Sequence, residues 1–478
     1  MQSLPDLSQL SHAEKDALIH ALWAMVVRLE GRVKELEERL TLNSSNSSKP
    51  PSSDGLRKPA PKSLRQSGQR PSGGQRGHSG SALCQSAQPD QVLSHHSAPL
   101  CTHCNAVLTQ HAVIDQRQVF ELPVLRAQVT EHRLMRSTCT CGAVHVGEYP
   151  EGVNAPAQYG ARARAFATYL HQYHLLPLQR TAQVMQDAFG LGMSQASVQA
   201  FGQQAALALE PTVQAIGQAV QASPVVHADE SGIRVQGSLH WLHCLVTPTL
   251  SWLERHAKRG ALAFADLGLL AGVRGTLVHD GLMGYKSLNC THSLCNAHHL
   301  RELEFVHERG NEKIWDSWAK EMMDLLVQAN SEVRQREGPL EDERQQWYQA
   351  QWEQLLQRGE GHHPAAQHTG APTGKRGRLA QSKAFNLLGR LRKYRDDVWR
   401  FASQKDVPFT NNLAEQALRM AKVKQKISGG FRTSEGADTF FTLRSYLATM
   451  NKQKQSLFNC LVSAFNGAPI QPELGCLT

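Results

Sequence analysis

Apolar residues are spaced like a heptad seam near the start of the chain. Ile19, Leu22, Val26, Leu29, Val33, Leu36 and Leu40 recur at alternating intervals of three and four. The pattern predicts a leucine-zipper-like helix over residues 13–42. β-Branched residues at one seam position and leucine at the other favour a parallel two-stranded coil. The same stripe could serve one amphipathic helix packed on its own domain, and about three heptads make a short isolated coil. Pairing into a homodimer or larger assembly is the reading adopted.

The periodicity stops at Asn43. Residues 43–98 are rich in Ser, Gly, Pro and Gln and carry Arg57, Lys58, Lys62, Arg65, Arg70 and Arg76. Such a composition buries too little apolar surface to offset ordering entropy. A disordered basic linker is expected, either merely solvated or touching a polyanion. Residues 99–148 then bring Cys101 and Cys104 into a C-x-x-C pair, and Cys139 and Cys141 into a second, shorter pair. Strand-like sequence (118–123 and 128–133) lies between them. Thiolate pairs brought together by a small sheet suit a tetrahedral structural Zn2+, so a zinc-ribbon-like module is expected. His103, His132 or His145 could replace one of the thiolates. Residues 156–222 read as helical, in segments Ala161–His174, Leu178–Phe189 and Gln195–Glu210, with Ser194 as an N-cap. A helix-turn-helix that reads DNA and plain helical packing both fit, since the third segment carries little charge.

From residue 223 the pattern becomes strand-like. Val225–Ala228, Leu239–Thr247 and Leu250–His256 are expected strands, the last two forming a hairpin. Helix Ala261–Leu270, strand Thr276–His279, a short strand near Ser293–Cys295 and helix Ala297–His307 follow. That order predicts an RNase-H-like core, its first part spanning 223–307. A helical insertion over 308–405 interrupts it, with Trp and Leu at helical spacing and a basic helix over 384–400. The second part of the core covers 406–450, and 451–478 is left as a tail. The fold class is therefore multidomain α/β. Gly370–Lys375 lacks the glycine spacing, hydroxyl residue and preceding strand of a phosphate loop.

Charge sharpens this picture. Lys plus Arg number 51 against 42 Asp plus Glu, a net +9 that favours a polyanionic partner such as double-stranded DNA. No apolar run approaches the roughly 20 residues that span a bilayer, so no membrane association is expected. No basic start with an apolar core marks a secretory signal. Ten cysteines then suggest reduced thiols or metal ligands, and a cytoplasmic, nucleoid-associated location.

Three carboxylates stand out by context. Asp229 closes Pro224-Val-Val-His-Ala-Asp229, Asp280 closes Gly275-Thr-Leu-Val-His-Asp280, and Glu415 lies on a helix with a basic face. The first and fourth strands are central neighbours in the expected topology, so the two aspartates could share a metal. Three clustered carboxylates need cations or raised pKa values. Hard oxygen donors suit two Mg2+ (or Mn2+) about 3.5–4 Å apart, which clamp attacking and leaving oxygens in phosphoryl transfer. Arg419 and Lys422 fall at i+4 and i+7 from Glu415. Lys424 and Lys426 extend the basic track, and Gly429-Gly-Phe-Arg432-Thr marks a turn where backbone could approach a phosphate. These five basic residues are the candidate DNA contacts; salt bridging to Glu415 is the simpler alternative.

Several segments together resemble bacterial transposases of the insertion-sequence-66 family. They are Asn43-Ser-Ser-Asn-Ser-Ser-Lys-Pro-Pro-Ser-Ser-Asp after the zipper, Gly74-Gln-Arg-Gly-His78, the cysteine ribbon and Gln158-Tyr-Gly. His227-Ala-Asp229-Glu-Ser, His279-Asp280-Gly, Cys295-Asn-Ala-His298 and Asn411-Asn-Leu-Ala-Glu415 with Lys-Ile-Ser-Gly-Gly-Phe-Arg complete the set. The resemblance implies a DDE-type core in which Asp229, Asp280 and Glu415 bind metal, acting on transposon ends and target DNA with accessory proteins as conceivable partners. It also implies that Cys295 and His298 match the C-x-x-H motif of DDE transposases with an inserted domain. The Cys139-x-Cys141 spacing departs most from the family ribbon. The alternatives are an RNase-H-like nuclease or resolvase without strand transfer, and an inactive zinc-containing DNA-binding regulator.

Overall fold

A computed structural model describes residues 11–41, 83–95, 99–109, 112–268, 270–309, 317–366 and 381–475. Helix α1 (His12–Thr41) begins at a capping box: Ser11 N–H donates to Glu14 Oε2 at 2.8 Å, and Ser11 Oγ accepts the Glu14 N–H at 3.4 Å. The seven seam residues are all exposed along it. Most of the expected linker, including its six basic residues, lies outside the described residues.

The chain divides into two compact units, residues 62–149 with 184–192, and the remainder. In the smaller unit, β1 (Arg136–Thr138) pairs antiparallel with β2 (Val144–Val146). The stretches 118–123 and 128–133 form no strand, contrary to their β-rich composition. Val119, Phe120 and Val129 stay exposed there, so alternation finds no core to bury. Side chains replace a ladder: Gln118 accepts the Ser86 N–H at 2.7 Å and donates to the Ser86 carbonyl at 2.9 Å.

The larger unit holds a five-stranded mixed sheet and most of the thirteen α-helices found among the described residues. Helix α2 (Ala161–Thr168) runs into a π turn (Tyr169–Tyr173), and α3 (Leu178–Phe189) follows. Helix α4 (Gln195–Gln221) starts at Ser194, whose hydroxyl accepts the Ser197 N–H at 3.0 Å. It extends well past the expected end at Glu210, through Pro211. Pro211 removes one backbone donor, but Val213, Ile216 and Val220 continue the buried stripe and carry the helix on.

Strands β3 (Val225–Val235), β4 (Ser238–Val246), β5 (Ser251–His256), β6 (Thr276–His279) and β7 (Thr291–Leu294) lie in the order β5-β4-β3-β6-β7. β3, β4 and β5 are antiparallel, while β6 and β7 run parallel to β3. Gln236 and Gly237, both at positive φ, make the tight β3–β4 turn. Helix α5 (Ala261–Leu267) precedes β6, and only a 3-10 turn (Tyr285–Ser287) separates β6 from β7. Helices α6 (Asn296–Arg309), α7 (Trp318–Arg336), α8 (Asp342–His362), α9 (Lys383–Lys393) and α10 (Arg395–Ser403) share a separate hydrophobic cluster around Met322, Leu326, Trp352 and Leu388. The basic helix expected over 384–400 is therefore two helices, broken at Tyr394, whose backbone leaves helical geometry.

Helices α11 (Asn412–Ser428), α12 (Ser434–Lys452) and α13 (Leu457–Phe465) finish the unit. The stretch expected as a tail holds a core helix instead, because Leu457, Cys460, Leu461 and Ala464 are buried in the main core. Strand alternation assigns the two faces of the sheet. Val226, Ala228 and Leu245 meet the cluster of α4, α12 and α13, whereas Ile233, Val235 and Cys244 meet α11. Helix α12 also covers the edge of β5. Ser445 Oγ accepts the Leu253 N–H at 2.9 Å, and Thr449 Oγ1 accepts the Ser251 N–H at 3.0 Å. Two hydroxyls one helical turn apart thereby satisfy alternate strand donors that would otherwise be unpaired at a sheet edge.

Ser445→Ala orphans the buried Leu253 N–H and should destabilise the protein by about 1–3 kcal/mol. A lower urea midpoint with unchanged slope checks this.

Candidate active site

Asp229 sits mid-strand, since β3 continues to Val235 and does not end at Ala228. The hairpin with β4 carries the strand on. What ends near Asp229 is the parallel ladder with β6, which pairs Val225 with Thr276, Val226 with Leu277 and His227 with Val278. The same offset puts Asp229 level with Asp280, just beyond the last pair. Gly281, with φ at +91°, turns the chain away after β6, and Asp280 Oδ1 accepts the Leu282 N–H at 2.9 Å.

Glu415 arrives on α11, whose first turn is fixed to β3. The buried Asn411 donates Nδ2–H to the Ala228 carbonyl at 2.8 Å, and its Oδ1 meets His227 Nδ1 at 2.9 Å. Its backbone N–H donates to Cys295 Sγ at 3.1 Å, and its carbonyl accepts the Glu415 N–H at 3.3 Å. Cys244, the cross-strand partner of Asp229, donates to the Ala414 carbonyl at 3.8 Å. These bonds hold the acidic turn of α11 over the face of the sheet that carries Asp229. Asn411 belonged to a quoted motif but had no role assigned from sequence.

The three carboxylates feel one another. Burial, then the charges of Asp280, Glu230 and Glu415, push Asp229 well above the usual carboxylate range against one backbone hydrogen bond from Glu230. Burial also raises Glu415, opposed by Arg301 and reinforced by Asp280, although its side chain keeps 41% exposure. Arg301 Nη2 lies 3.9 Å from Glu415 Oε1.

Glu230, on the opposite face of β3, escaped the sequence reading. Its side chain has no exposed surface, and Arg259 donates Nε–H and Nη2–H to Oε1 at 2.9 and 2.6 Å. Tyr285 donates to Oε2 at 2.5 Å, and Arg259 lies over the Trp241 ring at 4.5 Å. Ending the expected strand at Ala228 left Glu230 outside it, so no burial was assigned to this residue.

The basic candidates separate. Arg419, Lys426 and Arg432 are exposed, but Lys424 is buried and the Lys422 ammonium donates to the Gly232 carbonyl. The Gly429–Thr433 turn is also occupied. Phe431 N–H donates to the Arg234 carbonyl at 2.8 Å, and Phe431 accepts the Gln236 N–H at 2.9 Å. A Cβ on Gly430 would come within 2.8 Å of that Arg234 carbonyl oxygen, which explains the glycine.

In the smaller unit, each cysteine pair closes its own turn. Asn105 N–H donates to the Cys101 carbonyl and Gly142 N–H to the Cys139 carbonyl, both at 2.9 Å, with Asn105 and Gly142 at positive φ. The second turn is one residue tighter, which accommodates the shorter spacing. Hydrogen bonds from Cys104 and His103 lower the Cys101 thiol, and those from Cys141 and Thr140 lower Cys139. Among the described residues, the only group of three ligand-type side chains with donor atoms all within 4.8 Å is Cys295, His298 and Glu415.

Neighbouring strands β3 and β6 of a mixed sheet thus present level aspartates, with the helix of Glu415 bonded to β3. The family model for the IS66 family of transposases matches residues 156–439, more than half of the chain and all three acidic residues. The chain belongs to the IS66 transposase family. Residues 2–83 match a family of unknown function, DUF6444. No curated protein matches the chain. Among the described residues no helix is long and apolar enough to cross a membrane.

A raised carboxyl binds its proton more tightly in the folded metal-free protein than in the unfolded chain. Its stabilising contribution is complete below the ordinary carboxylate range, near about pH 4, and is lost as pH rises through the raised folded value. Buried histidines such as His227 and His299, lowered by desolvation, act in the opposite sense. The readout is therefore a difference: the urea midpoint of metal-free wild type minus that of Asp229→Asn should fall as pH rises above the ordinary carboxylate range of about 4. A difference independent of pH contradicts the raised Asp229.

Proposed function

We propose that this transposase is of the DDE type, with an RNase-H-like core in which Asp229, Asp280 and Glu415 are the catalytic carboxylates. The observation that carries the reading is their convergence: two aspartates level beside the end of one parallel ladder, and a glutamate whose helix is tied to the same strand. Their mutual repulsion supports a cation site. The donors are hard carboxylate oxygens, and the neighbouring charge compensation from Arg301 at 3.9 Å is weak, so the set fits two Mg2+ or Mn2+. When bound, such ions supply charge stabilisation to the attacking and leaving oxygens.

The chain's own groups then divide the work. Asn411 and the β3–β6 ladder hold the carboxylates in a fixed geometry. Exposed Arg419, Lys426 and Arg432 supply cationic contacts for the DNA backbone, while Lys422 and Lys424 support the fold of α11. Water attacks a phosphodiester at the element end and releases a 3′-hydroxyl. That hydroxyl attacks a target phosphodiester in line and displaces the target strand's own 3′-oxygen, with no covalent protein intermediate. The paired cysteine turns, each with two thiols and backbone donors that favour thiolate, support a structural Zn2+ ribbon. It would require the two turns to draw together, since no three of these thiols lie within 4.8 Å of one another. The exposed seam of α1 fits a parallel coil that joins two protomers, so that two transposon ends are held together.

The test uses purified protein, Mg2+ and DNA carrying the element ends. Wild type should nick the ends and yield strand-transfer products. Asp229→Asn, Asp280→Asn and Glu415→Gln should each lose more than about a hundredfold in end cleavage while still binding the DNA. Cleavage that never proceeds to strand transfer supports a nuclease or resolvase instead. Full activity in Asp229→Asn sinks the assignment.

A further inference from the structure

We infer that Cys295, His298 and Glu415 form a binding site for one Zn2+, separate in chemistry from the all-carboxylate site. Their donor atoms lie within 4.8 Å of one another. Tetrahedral zinc needs ligand–ligand spacings of roughly 3.5 Å, given bonds of about 2.0–2.3 Å. The remaining closure falls to Glu415, whose side chain is 41% exposed.

The local fold prepares the other two donors. Cys295 leaves β7 with its N–H donated to the His279 carbonyl at 2.9 Å, and the His298 N–H returns to the Cys295 carbonyl at 3.1 Å. This single turn places both side chains on one side of the start of α6. Burial pushes the Cys295 thiol up to about 11, against N–H groups that Sγ accepts from Asn411, Ala297 and His298, so binding an ion there must displace the thiol proton. His298 Nδ1 is buried with no hydrogen-bond partner. Burial and Arg301 hold the ring's pKa down at about 4, which keeps its lone pairs available at neutral pH.

The donor types select the ion. One thiolate, one imidazole and one carboxylate are the ligands of zinc, whereas Mg2+ prefers oxygen alone. A fourth position is left for water. Arg301 is the counter-charge for Glu415 when no zinc is present, and zinc takes over that task. Only the shared use of Glu415 rests on the proposed catalytic role; the binding site does not.

Full-length protein stripped by chelator and titrated with Co2+, a spectroscopic stand-in for zinc, tests the site. Wild type should bind one equivalent more than Cys295→Ser, and their difference spectrum should show the charge-transfer band of a single thiolate. His298→Ala and Glu415→Gln should each weaken that equivalent by more than about tenfold. Equal stoichiometry and superposable spectra across wild type and all three variants overturn the proposal. Glu415→Gln alters a half-exposed side chain, so a weakened or unchanged thiolate band in that variant decides the matter if Cys295→Ser fails to fold by circular dichroism. Asp229→Asn should leave the thiolate charge-transfer band intact whatever happens to DNA cleavage, so the two readings fail separately.

Discussion

Like-charged carboxylates repel, and a fold that gathers Asp229, Asp280 and Glu415 must hold them against that repulsion. The restraint comes from the short parallel ladder between β3 and β6. Because it pairs His227 with Val278 and stops, the two aspartates lie level with each other just beyond the last pair between these strands. Asn411 then takes the Ala228 carbonyl beside the end of the ladder and begins the helix of Glu415. One amide thus couples the end of sheet pairing to the start of the acidic helix. The raised proton affinity of Asp229 is the electrostatic consequence of this enforced proximity and burial.

The rest of the larger unit gives that ladder stiffness. Helices α4, α12 and α13 fill one face of the sheet, and α11 fills the other. Ser445 and Thr449 close the β5 edge with hydroxyls, so sheet pairing ends inside the protein. On the face opposite Asp229, Glu230 is locked by Arg259 and Tyr285. Consecutive acidic residues on β3 therefore have opposite fates: one buried carboxylate is neutralised by partners, and the other is left to bind what the site attracts. Helices α6 to α10 build their own core around Trp352 and Leu388, yet the start of α6 brings His298 and Arg301, and Cys295 just before it, to the side of Glu415.

Much of this was readable from the order of residues. The hairpin at residues 238–256, the strand before Asp280 and the helix of Glu415 follow from local sequence, although the strand before Asp280 is buried on both faces. Family membership followed from spaced motifs, each local in sequence. Other readings failed where burial decided the outcome. The 118–133 segment has strand composition but no core to bury it, and Leu457–Phe465 forms a core helix where a tail was expected. Lys424 shares a helix with Glu415, yet packing turns it inward.

The sequence by itself determined which residues carry charge, thiol and imidazole, and which local segments coil or extend. Tertiary structure alone decided that Asn411 bonds Ala228, that Arg259 neutralises Glu230, and that Cys295 and His298 approach Glu415. The reason is physical. Periodicity records how a segment meets a generic apolar surface, whereas a hydrogen bond between residues more than a hundred positions apart depends on register and helix placement, which leave no repeating trace in the chain.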